Sequence, residues 1–399
     1  MTLPANAATD NPNVSINAVS CASAGNCGAV GTYVDNSGNT EGLLLTETAD
    51  SWATGVEASL PVTAAATNQF VHLNAVSCAS AGNCTAVGLY VDNSGNDNGQ
   101  GLLLTETAGT WSTGVEAALP ANATSTGQDV QLPSVSCTSA GNCVTVGGYF
   151  VGPGDTHGLI LTETAGSWAT GVEPALPANS SGAQGANLYS VSCASVGNCT
   201  VVGSYNDSSE AGQGLLVTEA SGTWATGVEA ALPANAGTNP GAYLDSVSCP
   251  SAGDCSAVGG YRDGSNDQEA VLLTETAGSW ATGVEAAMPS NAAANPIAVV
   301  PSISCGSAGD CAAVGNYRDS SGNEWALLLT ETAGTWADGT EAGLPADAAG
   351  DPFGSASLVS VSCASTGSCS AVGGYNVAVG AGTGGESLLV TETAGSWST

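Results

Sequence analysis

The chain has 399 residues, enough for two or three ordinary domains or for one repeat array. It carries 35 acidic residues but only two basic ones, Arg262 and Arg318, so its formal net charge is -33. Two arginines cannot neutralise a run of phosphates, which excludes nucleic acid as a partner and disfavours an anionic membrane surface. No stretch approaches the roughly 18 apolar residues of a membrane helix, so we expect no membrane insertion.

One sequence unit recurs seven times. Each copy has two cysteines six positions apart, a tyrosine six positions after the second cysteine, and a tryptophan that closes the unit. The first cysteines recur every 56–59 residues, which is typical of a repeat protein. We predict a single domain over 1–399, with repeats at approximately 14–70, 71–129, 130–186, 187–242, 243–298, 299–356 and 357–399. The last repeat lacks the GVEAALP segment, which residues 1–13 could supply.

Within a repeat, four short strands are predicted in chain order. The first leads into the first cysteine (SINAVSC), the second leaves the other cysteine (CTAVGLYV), the third is GLLLTET, and a weaker fourth follows the tryptophan (ATGVEAAL). Runs such as Leu43, Leu44 and Leu45 place apolar groups on both faces of a strand, as in a blade stacked between neighbours. This pattern predicts an all-β protein, a seven-bladed β-propeller with about 56 residues and four strands per blade. A β-solenoid is the alternative.

The pattern S-C-x5-C-x-A-V-G-x-Y, followed by L-L-x-T-E and G-x-W, resembles the repeats of secreted bacterial seven-repeat β-propeller proteins, a mostly uncharacterised family. The resemblance covers nearly the whole chain. TETAGTW also resembles the Asp-box turn of sialidase-type propellers, but the Asp is missing and the spacing is one residue short. We therefore carry no activity over from the sialidases.

The paired cysteines are expected to form one hairpin disulfide per blade. They flank a five-residue loop, so two antiparallel strands place them opposite each other, and no histidine repeats with them as a zinc site would require. Such bonds persist in oxidising compartments, which predicts a protein that is secreted or on the cell surface. The fourteen cysteines are Cys21, Cys27, Cys78, Cys84, Cys137, Cys143, Cys193, Cys199, Cys249, Cys255, Cys305, Cys311, Cys363 and Cys369.

Two zones vary in length between repeats, the loop between strands two and three and the segment after LPANA. Both map to one face of a four-stranded blade, where we expect a ligand to bind. The candidate ligand-binding residues are Asp92, Asp97, Asp155, Arg262, Asp263, Arg318, Asp319 and Trp325. Loops such as DNSGN also suit calcium, with Asp35, Asp92 and Asp319 as possible ligands; no other cofactor is expected.

Enzymatic activity is the least favoured interpretation. The TET glutamates and the glutamates of GVEAAL recur in every or nearly every repeat, whereas a catalytic pair is normally unique, so we expect solvated or turn-bonded positions. His72 and His157 occupy non-equivalent places and are interpreted as incidental, while the repeated Tyr and Trp are expected to pack between blades. The predicted function is an exported, non-enzymatic binding propeller, lectin-like or adhesin-like, for a glycan or an extracellular protein. A structural scaffold without a ligand is the alternative, and a glycoside hydrolase the last choice. We expect a monomer or part of a longer array.

Overall fold

The computed structural model describes residues 2–67, 69–93, 99–124, 127–152, 154–181, 185–348, 355–379 and 382–398. These residues form a seven-bladed, all-β propeller with about four strands per blade and one disulfide within each blade, which confirms the predicted fold class. Among the described residues, no helix is long and apolar enough to cross a membrane.

Each of the first four blades is an antiparallel sheet built from consecutive strands of the chain. Blade 1 contains β1 (Ser15–Ser23), β2 (Asn26–Val34), β3 (Thr40–Thr48), β4 (Ser51–Trp52) and β5 (Val56–Glu57). Blade 2 contains β6 (His72–Ser80), β7 (Asn83–Val91), β8 (Gly99–Thr107), β9 (Thr110–Trp111) and β10 (Val115–Glu116). Blade 3 contains β11 (Gln131–Ser139), β12 (Asn142–Gly152), β13 (Asp155–Thr164) and β14 (Ser167–Trp168). Blade 4 contains β15 (Asn187–Ser195), β16 (Asn198–Asn206), β17 (Gly212–Ala220), β18 (Thr223–Trp224) and β19 (Val228–Glu229).

The remaining three blades repeat the same order. Blade 5 contains β20 (Tyr243–Ser251), β21 (Asp254–Arg262), β22 (Gln268–Thr276), β23 (Ser279–Trp280) and β24 (Val284–Glu285). Blade 6 contains β25 (Val299–Ser307), β26 (Asp310–Arg318), β27 (Glu324–Thr332), β28 (Thr335–Trp336) and β29 (Thr340–Glu341), and a 3₁₀ turn follows at Ala346–Ala348. Blade 7 contains β30 (Ala356–Ser365), β31 (Ser368–Val379), β32 (Gly382–Thr393) and β33 (Ser396–Ser398). The predicted fourth strand is therefore two short pieces in most blades, both paired with the third strand.

The contacts of the chain divide it into two compact units. The first comprises Met1–Ala175, Gly182–Gly197 and Glu219–Thr226, and the second comprises Leu176–Ser181, Asn198–Thr218 and Gly227–Thr399. The predicted repeat boundaries, and the completion of the last repeat by residues 1–13, stay predictions. In the structure this N-terminal segment hydrogen-bonds to blade 1, where Thr2 O accepts the N–H of Gly55.

Each disulfide joins directly opposed residues of the first two strands of its blade. Cys21 pairs with Cys27 in the register of β1 and β2, with a Cα–Cα distance of 3.9 Å. Cys193 and Cys199 of blade 4 are also disulfide-bonded, and no described cysteine is free. The prediction of one hairpin disulfide per blade is confirmed.

The two constant turns of each blade lie together on one side of it. In blade 2, the N–H of Gly109 in the turn after the third strand donates to Gly82 O in the disulfide hairpin, at 2.8 Å. Gly82 has φ +67°, and a Cβ there would lie 2.8 Å from the Gly109 nitrogen, so only glycine fits. On the other side, the loop between strands two and three pairs with the segment that precedes the first strand, as in the bridge between Asp92 and Ala64. Both variable zones therefore share one face, as predicted.

Successive blades within each unit pack through apolar faces. Between blades 1 and 2, Val30 and Leu44 of the first blade pack against Leu73, Val76 and Tyr90 of the second. All five side chains are less than 9% exposed. Apart from this tyrosine the repeats bury few aromatic residues. Closely packed Val, Leu and Tyr side chains therefore form most of the core.

The serine that precedes each first cysteine joins neighbouring blades. The N–H of Cys78 donates to Ser20 Oγ at 3.0 Å, and that of Cys137 donates to Ser77 Oγ at 3.0 Å. The same bond recurs at 3.0 Å in three further pairs, Cys193 with Ser136, Cys305 with Ser248, and Cys363 with Ser304. The repeated Ser-Cys dipeptide thus serves two purposes, because its cysteine closes the hairpin and its serine binds the next blade.

We expect Ser77→Ala to lower the free energy of unfolding by about 1 kcal/mol, because the half-buried N–H of Cys137 loses its acceptor. The matched control is Ser80→Ala, which removes a hydroxyl that accepts from Asn83 Nδ2 on the exposed hairpin turn. Urea unfolding of both variants measures the difference. Equal midpoints for the two variants would contradict the proposed role of the Ser-Cys dipeptide.

Candidate functional site

A hydrogen-bonded tyrosine and glutamate recur on the variable face of six blades. The tyrosine lies near the end of the second strand and is buried, and its hydroxyl donates to a glutamate that in five of the six blades ends the second piece of the fourth strand. The pairs are Tyr33–Glu57, Tyr90–Glu116, Tyr149–Glu173, Tyr205–Glu229, Tyr261–Glu285 and Tyr317–Glu341. Burial and the neighbouring glutamate raise the pKa of each of these tyrosines, so the phenols stay protonated.

In blade 3 a histidine joins this pair. His157 lies opposite Tyr149 in the register of β12 and β13, and its Nδ1 is 2.9 Å from Glu173 Oε1. Its Nε2 is 3.3 Å from Asp155 Oδ1. Asn122 Nδ2 donates to the same Glu173 oxygen at 2.6 Å. We call Asn122, Tyr149, Asp155, His157 and Glu173 the blade 3 cluster.

The cluster places two solvent-facing carboxylates beside a buried imidazole. The side chains of Asp155 and Glu173 are about one-third exposed, at 35% and 32%, whereas that of His157 is 10% exposed. Burial opposes ionisation of Glu173, but hydrogen bonds from Tyr149, Asn122 and His157 lower its pKa below the ordinary value. These hydrogen bonds favour the carboxylate form of Glu173, with its neighbours as the hydrogen-bond donors.

This geometry can move protons at a bound substrate. His157 Nδ1 hydrogen-bonds with Glu173 Oε1, and its Nε2 lies 3.3 Å from Asp155 Oδ1, a buried oxygen with no hydrogen-bond partner. Both carboxylates stay within reach of solvent, and Tyr149 and Asn122 fix the orientation of Glu173. Paired carboxyl groups with different environments are what general acid–base catalysis requires.

The sequence analysis interprets His157 as incidental, whereas the structure places its imidazole in contact with Glu173 and Asp155. Its position in the repeat, two residues before the first leucine of the third strand, holds Glu41, Gln100 and Gln213 in other blades. Comparing that one position across the repeats marks His157 and Trp325 as the departures from Glu and Gln. Its contact with Glu173 requires the three-dimensional fold, because His157 lies in β13 and Glu173 lies in the segment after β14, next to the bridge between Ile160 and Val172.

Other predicted ligand-binding residues do not belong to this cluster. Arg262 and Arg318 occupy equivalent, exposed positions at the ends of β21 and β26 in the second compact unit. Trp325 is half-buried against the core of blade 6, and its Nε1 donates to Asp319 Oδ2 at 2.9 Å. Asp97 lies outside the described residues. The ligand-binding role of these residues stays a prediction.

The loop aspartates act as turn caps. Asp319 Oδ1 accepts the N–H groups of Ser321 and Asn323, both at 2.8 Å, and Asp35 Oδ1 accepts the equivalent groups of Ser37 and Asn39. Such Asx-type turns are a common use of aspartate in hairpin loops. The same arrangement recurs at Asp207 and Asp263. Asp92 Oδ2 accepts from Gln100 Nε2 at 3.0 Å.

We expect calcium to leave the melting temperature unchanged. N–H donors already occupy the oxygens of Asp35 and Asp319 that a calcium ion would need, and no group of three or more described Asp, Glu, His or Cys residues is arranged to hold a metal. Thermal unfolding in millimolar calcium and in EDTA checks this. A calcium-dependent rise that Asp319→Asn abolishes would establish a metal site instead.

The sequence predicts solvated or turn-bonded TET glutamates, but the structure buries most of them. Six of the seven are buried between blades, and Glu331 accepts from Ser256 Oγ at 2.7 Å and from Thr274 Oγ1 at 2.6 Å. The buried set is Glu106, Glu163, Glu219, Glu275, Glu331 and Glu392. Burial raises the pKa of Glu106, although its hydrogen bond from Thr46 opposes the shift. Glu106 lines a cavity of about 220 Å³ between blades 2 and 3.

We expect the protein to be more stable at about pH 5 than at about pH 8. Burial, with repulsion from neighbouring carboxylates, raises the pKa of Glu41 and of Glu269 to about 7. Because these folded-state values exceed the unfolded value of about 4.3, the stabilisation is complete below that pH and is lost as the pH rises through 7. Thermal unfolding across this range measures the effect.

Glu41→Gln should flatten that pH dependence, whereas Glu210→Gln, at an exposed position, should leave it unchanged. A melting temperature that rises from about pH 5 to pH 8 would contradict the assignment of buried, protonated carboxyl groups.

The comparisons with known proteins bear on the fold. No protein-family model and no curated sequence matches the chain. A polysaccharide lyase of the new family PL25, an ulvan lyase, is similar at 8% identity, covering 96% of this chain and 94% of that one, with a TM-score of 0.54. The same kind of lyase bound to -[GlcA(1-4)Rha3S]- is similar at 9% identity over 98% and 96%, with a TM-score of 0.52.

The prediction of a non-enzymatic binding propeller is contradicted, because the two structures that match nearly the whole of both chains are of a polysaccharide lyase. The exclusion of enzymatic activity is likewise unsupported. At 8–9% identity the similarity establishes the fold and assigns no residue of this chain.

Proposed function

We propose that this protein is a carbohydrate-active enzyme that cleaves a polysaccharide by acid–base catalysis at the blade 3 cluster. The observation that carries the proposal is the contact of His157 with both Asp155 and Glu173. Five other blades contain the tyrosine–glutamate pair, so the pair alone is structural. The added histidine and second carboxylate are what make blade 3 chemically distinct.

In the proposed reaction Glu173 takes a proton from water, and the water oxygen bonds to the anomeric carbon of the sugar. The glycosidic C–O bond breaks, and the departing oxygen takes a proton from the His157–Asp155 pair. Tyr149 and Asn122 are positioning residues that orient Glu173. The low pKa of Glu173 and its partial exposure suit the role of general base.

The charge of the chain favours a neutral polysaccharide over an acidic one. Elimination from a uronic acid, the reaction of a lyase, requires a cation to neutralise the carboxylate next to the proton that is removed. The compact unit that contains the cluster has neither Lys nor Arg, since both arginines belong to the other unit. Hydrolysis of a neutral glycan needs no such cation.

We also infer that the enzyme works outside the cytoplasm. Seven disulfides, one in each blade, persist in oxidising compartments and are rare in reducing ones. Polysaccharides are found there, so the inferred location agrees with the proposed substrate.

Glu173→Gln should lower the rate of reducing-sugar release from a neutral polysaccharide by about 100-fold or more, because the general base is lost. The matched control is Glu116→Gln, the same change in the tyrosine–glutamate pair of blade 2, where Gln100 stands at the position of His157. The assay covers a panel of neutral and uronic acid polysaccharides, and thermal unfolding confirms that both variants fold.

Loss of activity in Glu173→Gln with full activity in Glu116→Gln supports the proposal. No cleavage of any substrate by the wild-type chain, or equal activity in the two variants, would contradict it. Products with a new C4–C5 double bond, detected by ultraviolet absorbance, would show elimination instead of hydrolysis.

A further inference from the structure

A groove lies between blades 5 and 6, both of which belong to the second compact unit. Its volume is about 290 Å³. Leu272 and Thr274 of β22 line it together with Val284 of β24, and Trp336 of β28 lines it from the next blade. Val284 is 47% exposed, so the groove opens to solvent beside an indole ring. We call this the blade 5–6 groove.

Hydrogen bonds within the protein hold the groove in shape. Trp336 Nε1 donates to Thr274 Oγ1 at 3.3 Å, and Thr274 Oγ1 donates to Glu331 Oε1 at 2.6 Å. The backbones of the two blades are joined beside the groove, where the N–H of Gly339 donates to Ala287 O at 2.7 Å. Because the indole ring is fixed in place, little conformational entropy is lost when a ligand contacts it.

The charge at the groove is already hydrogen-bonded within the protein. Among the described residues that line the groove, Glu285 is the only charged one, and its Oε2 accepts from Asn235 Nδ2 at 2.6 Å and from Tyr261 Oη at 2.8 Å. The lining also contains the hydroxyl groups of Thr282 and Thr335, two exposed residues. An aromatic ring, aliphatic side chains and hydroxyl groups suit a ligand that is uncharged and has both apolar and polar surface.

The elements of the groove recur along the chain. The valine at the position of Val284 is exposed in five blades, and the five are Val56, Val115, Val172, Val228 and Val284. Between blades 1 and 2, Trp111 Nε1 donates to Thr46 Oγ1 at 3.2 Å, as Trp336 does to Thr274. Blade 6 has Thr340 at the valine position, paired with the third strand in the same register. A polymer of repeated units is therefore a better match for this surface than a single small molecule.

We propose that the blade 5–6 groove binds a sugar ring of a neutral polysaccharide, as a binding site that shares no residue with the blade 3 cluster. The choice of ligand rests on the proposed function. The C–H face of the sugar packs on Trp336 and Val284, and the sugar hydroxyls hydrogen-bond with Thr282 and Thr335.

The charge of the chain and the repetition of the groove both favour this ligand. A neutral glycan avoids repulsion from a chain whose net charge is -33. Because the same elements recur in neighbouring blades, one long glycan can contact successive blades of a unit, and linked contacts raise the overall affinity. Such a site keeps the polysaccharide on the protein between cleavage events.

Affinity gel electrophoresis of the full chain tests this proposal, with laminarin, hydroxyethyl cellulose or galactomannan in the gel and alginate as the charged comparison. All proteins carry Glu173→Gln, so that the polymer is not cleaved during the run. At least one neutral polymer should retard the protein, and alginate should not. Val284→Asp should raise the Kd for that polymer about 10-fold, because a carboxylate in the apolar groove loses hydration when the sugar binds. Adding Val56→Asp should raise the Kd further.

The matched control is Val62→Asp, which adds the same charge at a residue that is 99% exposed and does not line the groove. Thermal unfolding confirms that every variant folds. Retardation that Val284→Asp weakens and Val62→Asp preserves supports the proposal. Equal Kd values for these two variants, tighter binding of alginate, or no retardation by any of the neutral polymers would overturn it.

Binding and cleavage are separate readouts, so the two proposals can fail independently. A protein that cleaves a neutral polysaccharide but binds equally well with Val284→Asp and with Val62→Asp keeps the blade 3 site and loses the groove. A protein that cleaves no polysaccharide, but whose binding depends on Val284, keeps the groove and loses the proposed catalysis.

Discussion

Each blade of this protein has two apolar faces, and each face must be covered by a neighbouring blade. The strands carry Val and Leu on both sides, so a single blade could not remain folded in water. The serine before each first cysteine adds a hydrogen bond across the same interface, as between Ser77 and Cys137. Hydrogen bonds between blades and apolar burial therefore act at one place, and repetition of that interface builds the propeller.

The same constraint explains why charge is kept out of the interfaces. Lys and Arg have long side chains with a permanent charge, and only Arg262 and Arg318 occur, both at exposed strand ends. Carboxyl groups are tolerated in the buried TET positions because they can protonate, and burial favours the neutral form. Glu331 shows a second solution, since Ser256 and Thr274 donate to both of its oxygens. The acidic composition therefore comprises both surface carboxylates and interior carboxyl groups whose burial raises their pKa.

Much of the fold follows from the sequence because the evidence repeats. The spacing of Cys21 and Cys27 recurs seven times, and that repetition predicts the strands, the hairpin disulfides and the shared face of the variable loops. The proposed functional site, in contrast, could not be predicted from repetition. His157 occurs once, so no periodicity marks it, and its contact with Glu173 depends on how the interrupted fourth strand returns beside the third. The burial of Glu106 could not be predicted either, since its neighbour Thr46 belongs to another blade.

The blade 3 cluster has a histidine opposite the tyrosine, where other blades have Glu, Gln or Trp. A structural tyrosine–glutamate pair becomes a chemically competent site when a histidine replaces the residue opposite the tyrosine and an aspartate lies two residues before it. The scaffold supplies the orientation, because Tyr149 and Asn122 hold Glu173 as their counterparts do in the other blades. The proposed reactive centre therefore needs His157 and Asp155 beside a tyrosine–glutamate pair that five other blades share.

The most direct test of this account is nuclear magnetic resonance of the two histidines, since His72 and His157 are the only ones in the chain. Labelled imidazole nitrogens give separate signals, and His72→Asn assigns them. Addition of a neutral oligosaccharide that the enzyme cleaves slowly should shift the His157 signals and leave those of His72 in place. A His157 signal that does not respond to any oligosaccharide would contradict the assignment of the blade 3 cluster as the functional site.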